Sequence, residues 1–200
     1  MVVLVRLGKI DDQQRSSQPS FIPPLQTTTH TSPWGFGERL RMLLWEACWC
    51  FFCQWTPKPL HGWRLLWLRL FGAEVDGWAF VHQRARIQKP WLLKLGDGAC
   101  LGDRTNIYNL GPVEIGARTV VAQEAYLCTG THAFGVPGLP LETAPVRIAE
   151  DVFVGARSFV LPGVTVGAGA IIGACSVVTK DVEAFTVNAG NPCRKLRTRE

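Results

Sequence analysis

Leu95-Gly96-Asp97-Gly98-Ala99-Cys100 and Leu101-Gly102-Asp103-Arg104-Thr105-Asn106 are two consecutive six-residue units, each opened by an aliphatic residue and a glycine. Ile115-Gly116-Ala117-Arg118-Thr119-Val120, Val154-Gly155-Ala156-Arg157-Ser158-Phe159 and Ile172-Gly173-Ala174-Cys175-Ser176-Val177 repeat the pattern. A period of six is neither 2 nor 3.6, so no single strand or helix explains it. It predicts a triangular coil, one hexad per side and about 18 residues per turn, which must stack on its neighbours to bury its aliphatic face. The aliphatic points inward, the small fifth residue fits beneath it, and Gly or Asp permits the corner. The fold class is an all-β solenoid.

The opening aliphatics carry the register outward. They fall at Val75, Val81, Ile87; Leu95, Leu101, Ile107; Ile115, Val121, Leu127; Ile148, Val154, Val160; and Val166, Ile172, Val178. About five coils are expected, roughly 24 Å of stack at the strand spacing. Every break in spacing follows the third member of a group. Two residues are added after the hexads at Ile87 and Ile107, and a long insertion follows the hexad at Leu127. One corner of the prism thus collects the loops, where function is usually placed.

Four segments are expected: a disordered leader over 1–33, a helical cap over 34–74, the solenoid over 75–183 with an inserted loop at 133–147, and a C-terminal tail over 184–200. Residues 37–55 and 60–72 read as helices, separated by Pro57 and Pro59. Covering the open end of the solenoid is one role for them. Resting their Trp- and Arg-rich surface (37–72) on a membrane is another. The Pro- and Gly-rich insertion argues against a regular element there. Asn188 to Pro192 reads as a turn and Arg194 to Arg199 as a short cationic tail.

The net charge is +5 with a pI near 9.0. No aromatic-interleaved basic stripe accompanies it, so nucleic acid is not the expected partner. The seven cysteines are odd in number and unmatched in spacing, which excludes a disulfide framework. Cys50-Phe51-Phe52-Cys53 lacks a second pair, so buried free thiols are expected in place of a metal or redox site. The polar leader lacks a signal-peptide pattern, and a cytoplasmic location is expected, with the inner face of the membrane as the surface that 37–72 would meet.

Of four histidines, His30 lies in the leader, His61 opens the second helix, and His82 is expected to point outward. His132 closes the hexad Leu127-Cys128-Thr129-Gly130-Thr131-His132 at the mouth of the insertion. Asn109 lies on the same side one coil earlier, so stacking would bring the two near each other.

Several segments together resemble the hexapeptide-repeat acetyltransferases, left-handed parallel β-helices. They are the repeat, Thr129-Gly130-Thr131-His132, Val152-Phe153-Val154-Gly155-Ala156, Leu161-Pro162-Gly163-Val164, Ser176-Val177-Val178-Thr179-Lys180-Asp181 and Ala189-Gly190-Asn191-Pro192. The chain is similar to the maltose and galactoside O-acetyltransferases. It is closer to the acetyltransferases of colanic acid and related exopolysaccharide synthesis, through Pro57-Lys58-Pro59-Leu60-His61-Gly62-Trp63-Arg64, Leu68 to Ala73 and Ile107 to Pro112.

The resemblance implies acetyl-CoA as donor with no metal, a sugar hydroxyl as acceptor, and a homotrimer with sites between subunits. It implies His132 as general base, taking the acceptor's proton as that oxygen attacks the thioester. It implies Asn109 and Phe153 in substrate binding, Phe153 standing where many relatives have Trp. Ala156 and Ala174 would line the pantetheine groove, and Thr179, Lys180, Arg194 and Arg197 would receive the nucleotide end, where cations suit phosphates. Alternatives on the same solenoid are a non-catalytic scaffold, transfer to another acceptor such as an amino sugar, and a γ-type carbonic anhydrase. The last needs three histidines converging on zinc, and no trio stands at coil spacing. A sugar nucleotidyltransferase would need a phosphate-binding domain ahead of Val75.

Overall fold

A computed structural model describes residues 32–134 and 137–199. The leader expected over 1–33 lies outside the described residues except for its last two. From residue 74 onward the chain winds as a parallel β-solenoid of about six turns. Its three sides are three sheets. The first runs Glu74–Val75, Leu93–Leu95, Val113–Ile115, Val146–Ile148, Thr165–Val166. The second runs Phe80–Val81, Cys100–Leu101, Val120–Val121, Phe153–Val154, Ile171–Ile172, Thr186–Ala189. The third runs Arg86–Ile87, Asn106–Tyr108, Tyr126–Cys128, Phe159–Val160, Val177–Val178.

The register is that of the opening aliphatics. Val75 pairs with Leu95, Leu95 with Ile115, Ile115 with Ile148 and Ile148 with Val166. The other two sides stack their aliphatics in the same way, and almost all of these residues are buried in one continuous core. The fifth residues, among them Ala99, Thr105, Thr119, Ser158 and Ser176, are buried beneath them. Their hydroxyls are satisfied by main-chain carbonyls, as Ser158 and Ser176 are by Gly173 O.

The corner chemistry follows expectation in part, with glycine in the left-handed conformation at Gly98, Gly163 and Gly169. The left-handed residue is the fourth of the hexad, and it is often not glycine: Arg104, Glu124, Asp151 and Cys175 all have φ between 54° and 59°. The second-position glycine has a different duty. A Cβ on Gly116 would lie 2.5 Å from the main chain of Ala149, and one on Gly155 2.5 Å from Ala174 N. These glycines let one coil approach the next.

The N–H of the residue after each inward aliphatic donates to the carbonyl of the aliphatic stacked above it. Asp76 N, His82 N and Gln88 N donate to Leu95 O, Leu101 O and Ile107 O of the coil above. The carbonyls of Val75, Val81 and Ile87 therefore face the open end with no coil to meet them. The N-terminal helices supply the donors. Helix α1 (Phe36–Cys48) continues as a π-turn over Trp49–Cys53, and helix α2 spans His61–Leu70. Trp45 Nε1 of α1 donates to Ile87 O at 2.7 Å. From α2, Arg64 Nε donates to Val81 O at 2.7 Å and Arg69 Nη2 to Val75 O at 3.2 Å. One side chain thus serves each side of the prism, while Trp45, Leu65 and Leu68 extend the core.

The opposite end closes in a way the sequence reading missed. The expected turn holds at 190–193, but the expected tail forms strand Arg194–Thr198, paired antiparallel with Thr186–Ala189, which lies on Ile171–Ile172. His82 is buried, not outward. Its Nδ1 lies 3.1 Å from Asp103 Oδ1, and Arg84 holds the other oxygen of that carboxylate. Burial pushes the His82 pKa down, against the opposing pull of Asp103. Cys53 is buried and its thiol is pushed up to about 12, while Cys50 is exposed.

Candidate active site

Thr129 is buried under the third side and acts as a pivot. Its hydroxyl donates to Tyr108 O and accepts from Gly111 N. At Gly130 a Cβ would meet Leu110 Cδ1 at 2.9 Å, so glycine lets the chain leave the prism there. Gly130–His132 then pairs antiparallel with Leu141–Thr143, with His132 opposite Leu141. The insertion therefore contains a hairpin where no regular element was expected. Ladder pairing overrides the Pro and Gly composition of the connecting residues.

The hairpin sets the tautomer of His132. Its Nδ1 lies 2.7 Å from Leu139 O. A carbonyl oxygen can only accept, so Nδ1 carries the hydrogen, and in the neutral ring Nε2 keeps its lone pair. The ring is exposed and borders a cleft of about 260 Å³ lined by Trp34, Met42, Gln88, Tyr108, Leu110 and Leu141, among others. The Tyr108 ring belongs to a column on the third side, tilted against Tyr126, which stacks on Phe159 at 4.7 Å.

Asn109 is near His132 in the stack but is fully buried. Its Oδ1 accepts from Gln88 N and Lys89 N, and its Nδ2 donates to Lys89 O. The amide clamps the main chain of Gln88 and Lys89 beneath the cleft. Phe153 is half-exposed on the second side. Ala156 and Ala174 occupy equivalent corners between the second and third sides, where Cys175 N donates to Ala156 O. His132 leaves from the opposite edge of the third side, so a hexad of up to roughly 20 Å separates it from that corner within one chain. Thr179 and Lys180 follow the last strand of the third side. Arg194 and Arg197 lie exposed on the closing strand, where Lys195 is paired with Glu183.

Two groups were not found from the sequence. Trp34, Met42, Gln88 and Tyr108 reach the His132 cleft from segments far apart in the chain, and no periodicity marks them. Buried His82 and its half-buried partner Asp103, with Lys58, Phe80, Arg84 and Gln123, border a second groove of about 480 Å³. Among the described residues no group of three His, Cys, Asp or Glu could hold a metal ion.

The comparisons agree with this architecture. The model of the bacterial transferase hexapeptide (six repeats) matches residues 145–180. The chain is 39% identical over 169 residues to the "Putative colanic acid biosynthesis acetyltransferase WcaF" of Escherichia coli (strain K12), covering 84% of this chain and 93% of that protein. The chain belongs to the hexapeptide-repeat acetyltransferases. Among solved structures, the hexapeptide-repeat acetyltransferase VCA0836 of Vibrio cholerae O1 biovar eltor, complexed with acetyl coenzyme A, superposes with a TM-score of 0.77 at 20% identity. That match covers 86% of this chain and 93% of the other. A galactoside acetyltransferase in complex with coenzyme A superposes with a TM-score of 0.76 at 24% identity, covering 84% and 86%. At these identities the likeness is one of fold, the left-handed parallel β-helix. As a hexapeptide-repeat acetyltransferase the chain presents one histidine, His132, on a cleft beside its irregular edge.

Proposed function

We propose that this acetyltransferase moves the acetyl group of acetyl-CoA onto a hydroxyl of a sugar used in cell-surface polysaccharide synthesis. The observation that carries the reading is the fixed tautomer of His132. With Nδ1–H held by Leu139 O, Nε2 accepts the acceptor's proton as that oxygen attacks the thioester carbonyl. The tetrahedral intermediate collapses to the acetyl ester and expels the CoA thiolate, which takes the proton back from Nε2. No acyl-enzyme forms. The colanic acid relative and the coenzyme A-bound neighbours support this donor and acceptor class.

A homotrimer completes the site. One chain keeps His132 and the Ala156–Ala174 corner on opposite edges of a side, so a groove for the pantetheine arm beside His132 needs the corner of a neighbouring chain. Thr179, Lys180, Arg194 and Arg197 would then meet the nucleotide phosphates, and Phe153 the acceptor. Sedimentation equilibrium should return three times the chain mass, and a monomer at assay concentration would refute this arrangement.

The cytoplasmic enzyme also rests on the membrane. Phe36, Leu43, Phe51, Trp55, Trp63 and Leu70 are exposed large apolar residues of the N-terminal cap. Among the described residues no helix is long and apolar enough to cross a membrane, so the band would lie on the surface. Cosedimentation with vesicles containing anionic lipid, abolished by Leu43→Glu with Trp55→Glu, is the expected result; wild-type protein left in the supernatant would refute it.

Acetyl transfer itself is tested with purified protein, acetyl-CoA and a panel of saccharides. Free thiol should appear only when a sugar acceptor is present, matched by an acetylated sugar in the mass spectrum.

A further inference from the structure

The cleft beside His132 has a wall that its chemistry does not explain. Trp34 stands just ahead of α1, and its indole borders the same cavity as Gln88, Tyr108 and His132. Lys89 lies beneath it, 1% exposed. The Lys89 ammonium sits 3.3 Å from the centre of the Trp34 ring and 2.8 Å from Glu38 Oε1 in the first turn of α1. An ammonium taken out of water needs well-placed partners. Burial pushes the Lys89 pKa down, and the Glu38 hydrogen bond works against it. The lysine is itself held at both main-chain polar groups by Asn109, at 2.9 and 2.6 Å. Asn109 thus holds Lys89, Lys89 with Glu38 holds the indole, and the indole forms a cleft wall. Such pre-ordering removes part of the cost of binding.

We infer that Trp34 is the stacking platform for the acceptor, and that the cleft takes one pyranosyl ring with its C–H face against the indole. The cavity of about 260 Å³ is below the range of roughly 300–1,000 Å³ usual for drug-sized ligands, which suits a single sugar ring. An aromatic face is electron-rich and meets the weakly positive hydrogens of an apolar sugar face. The Gln88 amide and the Tyr108 hydroxyl border the same cavity and can bond ring hydroxyls. Asn109 acts here as a positioning residue, through Lys89 and Trp34.

This inference rests on the reading of the His132 cleft as the acceptor site, and it is tested by binding alone. Saturation-transfer NMR is run on the full chain, without acetyl-CoA, against methyl α-D-glucopyranoside, methyl β-D-galactopyranoside and methyl α-D-mannopyranoside, with sorbitol as an open-chain polyol. At least one pyranoside should receive saturation at its ring C–H protons, and sorbitol should not. Trp34→Ala should weaken that pyranoside about tenfold or more, while Trp34→Phe, which keeps an aromatic face, stays within about threefold of wild type. Circular dichroism verifies that both variants are folded. Unchanged binding by a folded Trp34→Ala variant, or no pyranoside binding to wild type, overturns the inference. Trp34-dependent binding without acetyl transfer by wild type would overturn only the acetyltransferase reading. Acetyl transfer with Trp34-independent binding would overturn only this one.

Discussion

His132→Ala is expected to lower acetyl transfer by about 10²- to 10⁴-fold, the range for loss of a positioned general base. Among the described residues lining the cleft His132 is the one imidazole, and an exposed alanine offers the acceptor hydroxyl no lone pair. Acetyl-CoA should still bind with nearly unchanged KM, because the residues proposed for the pantetheine arm and nucleotide lie on other edges. The fold should survive. The His132 ring is exposed and, among the described residues, bonds Leu139 O, while the hairpin ladder and Thr129 anchor the segment independently. Thiol release measured with acceptor, alongside a thermal melt, separates lost chemistry from lost structure. Full turnover by a folded His132→Ala enzyme would remove the proposed base.

Arg64→Met should produce the largest loss of stability of any single change in the cap. Arg64 is fully buried, and its guanidinium serves Val81 O, Thr56 Oγ1, Pro57 O and Lys58 O. Methionine keeps much of the apolar stem and removes every donor, leaving buried acceptors unpaired. We expect a cost of about 3–5 kcal/mol, as for other broken buried polar networks. At this chain length that corresponds to a Tm lower by roughly 6–20 °C. Trp45→Phe removes a single donor, to Ile87 O, and should cost about 1–3 kcal/mol from that bond. Urea melts of the two variants check the ranking. A wild-type melt for Arg64→Met would mean that the open end of the solenoid does not depend on side-chain donors.

The register of the solenoid was legible because one residue type, the inward aliphatic, recurs at a fixed interval and every one of its positions pairs as the interval requires. The irregular edge was legible for the same reason, since a break in a strict period marks where the chain leaves the prism. What could not be read depended on partners remote in sequence. Asn109 was expected in substrate binding, and its bonds to Gln88 and Lys89 of the coil below could not be read from the sequence. His82 followed the outward pattern of second positions, yet Asp103 and the nearby cap bury it. The two roles of glycine could not be told apart because a turn signal and a close-approach signal are the same letter; only φ and the distance to the next coil separate them. The closing strand Arg194–Thr198 carries no apolar alternation, since it is exposed throughout and is held by ladder bonds instead. Trp34 falls beside a leader without periodicity, and only its place over Lys89 marks it.

Direct transfer is the central claim, and rapid-quench mass spectrometry with carbonyl-labelled acetyl-CoA tests it most directly. The protein is mixed with labelled donor, first without and then with a saccharide acceptor, and both protein and sugar are weighed. The account predicts unlabelled protein throughout, and label on a sugar oxygen in step with released CoA. Labelled protein accumulating before acceptor is added, or CoA released with no label reaching any saccharide, would contradict it.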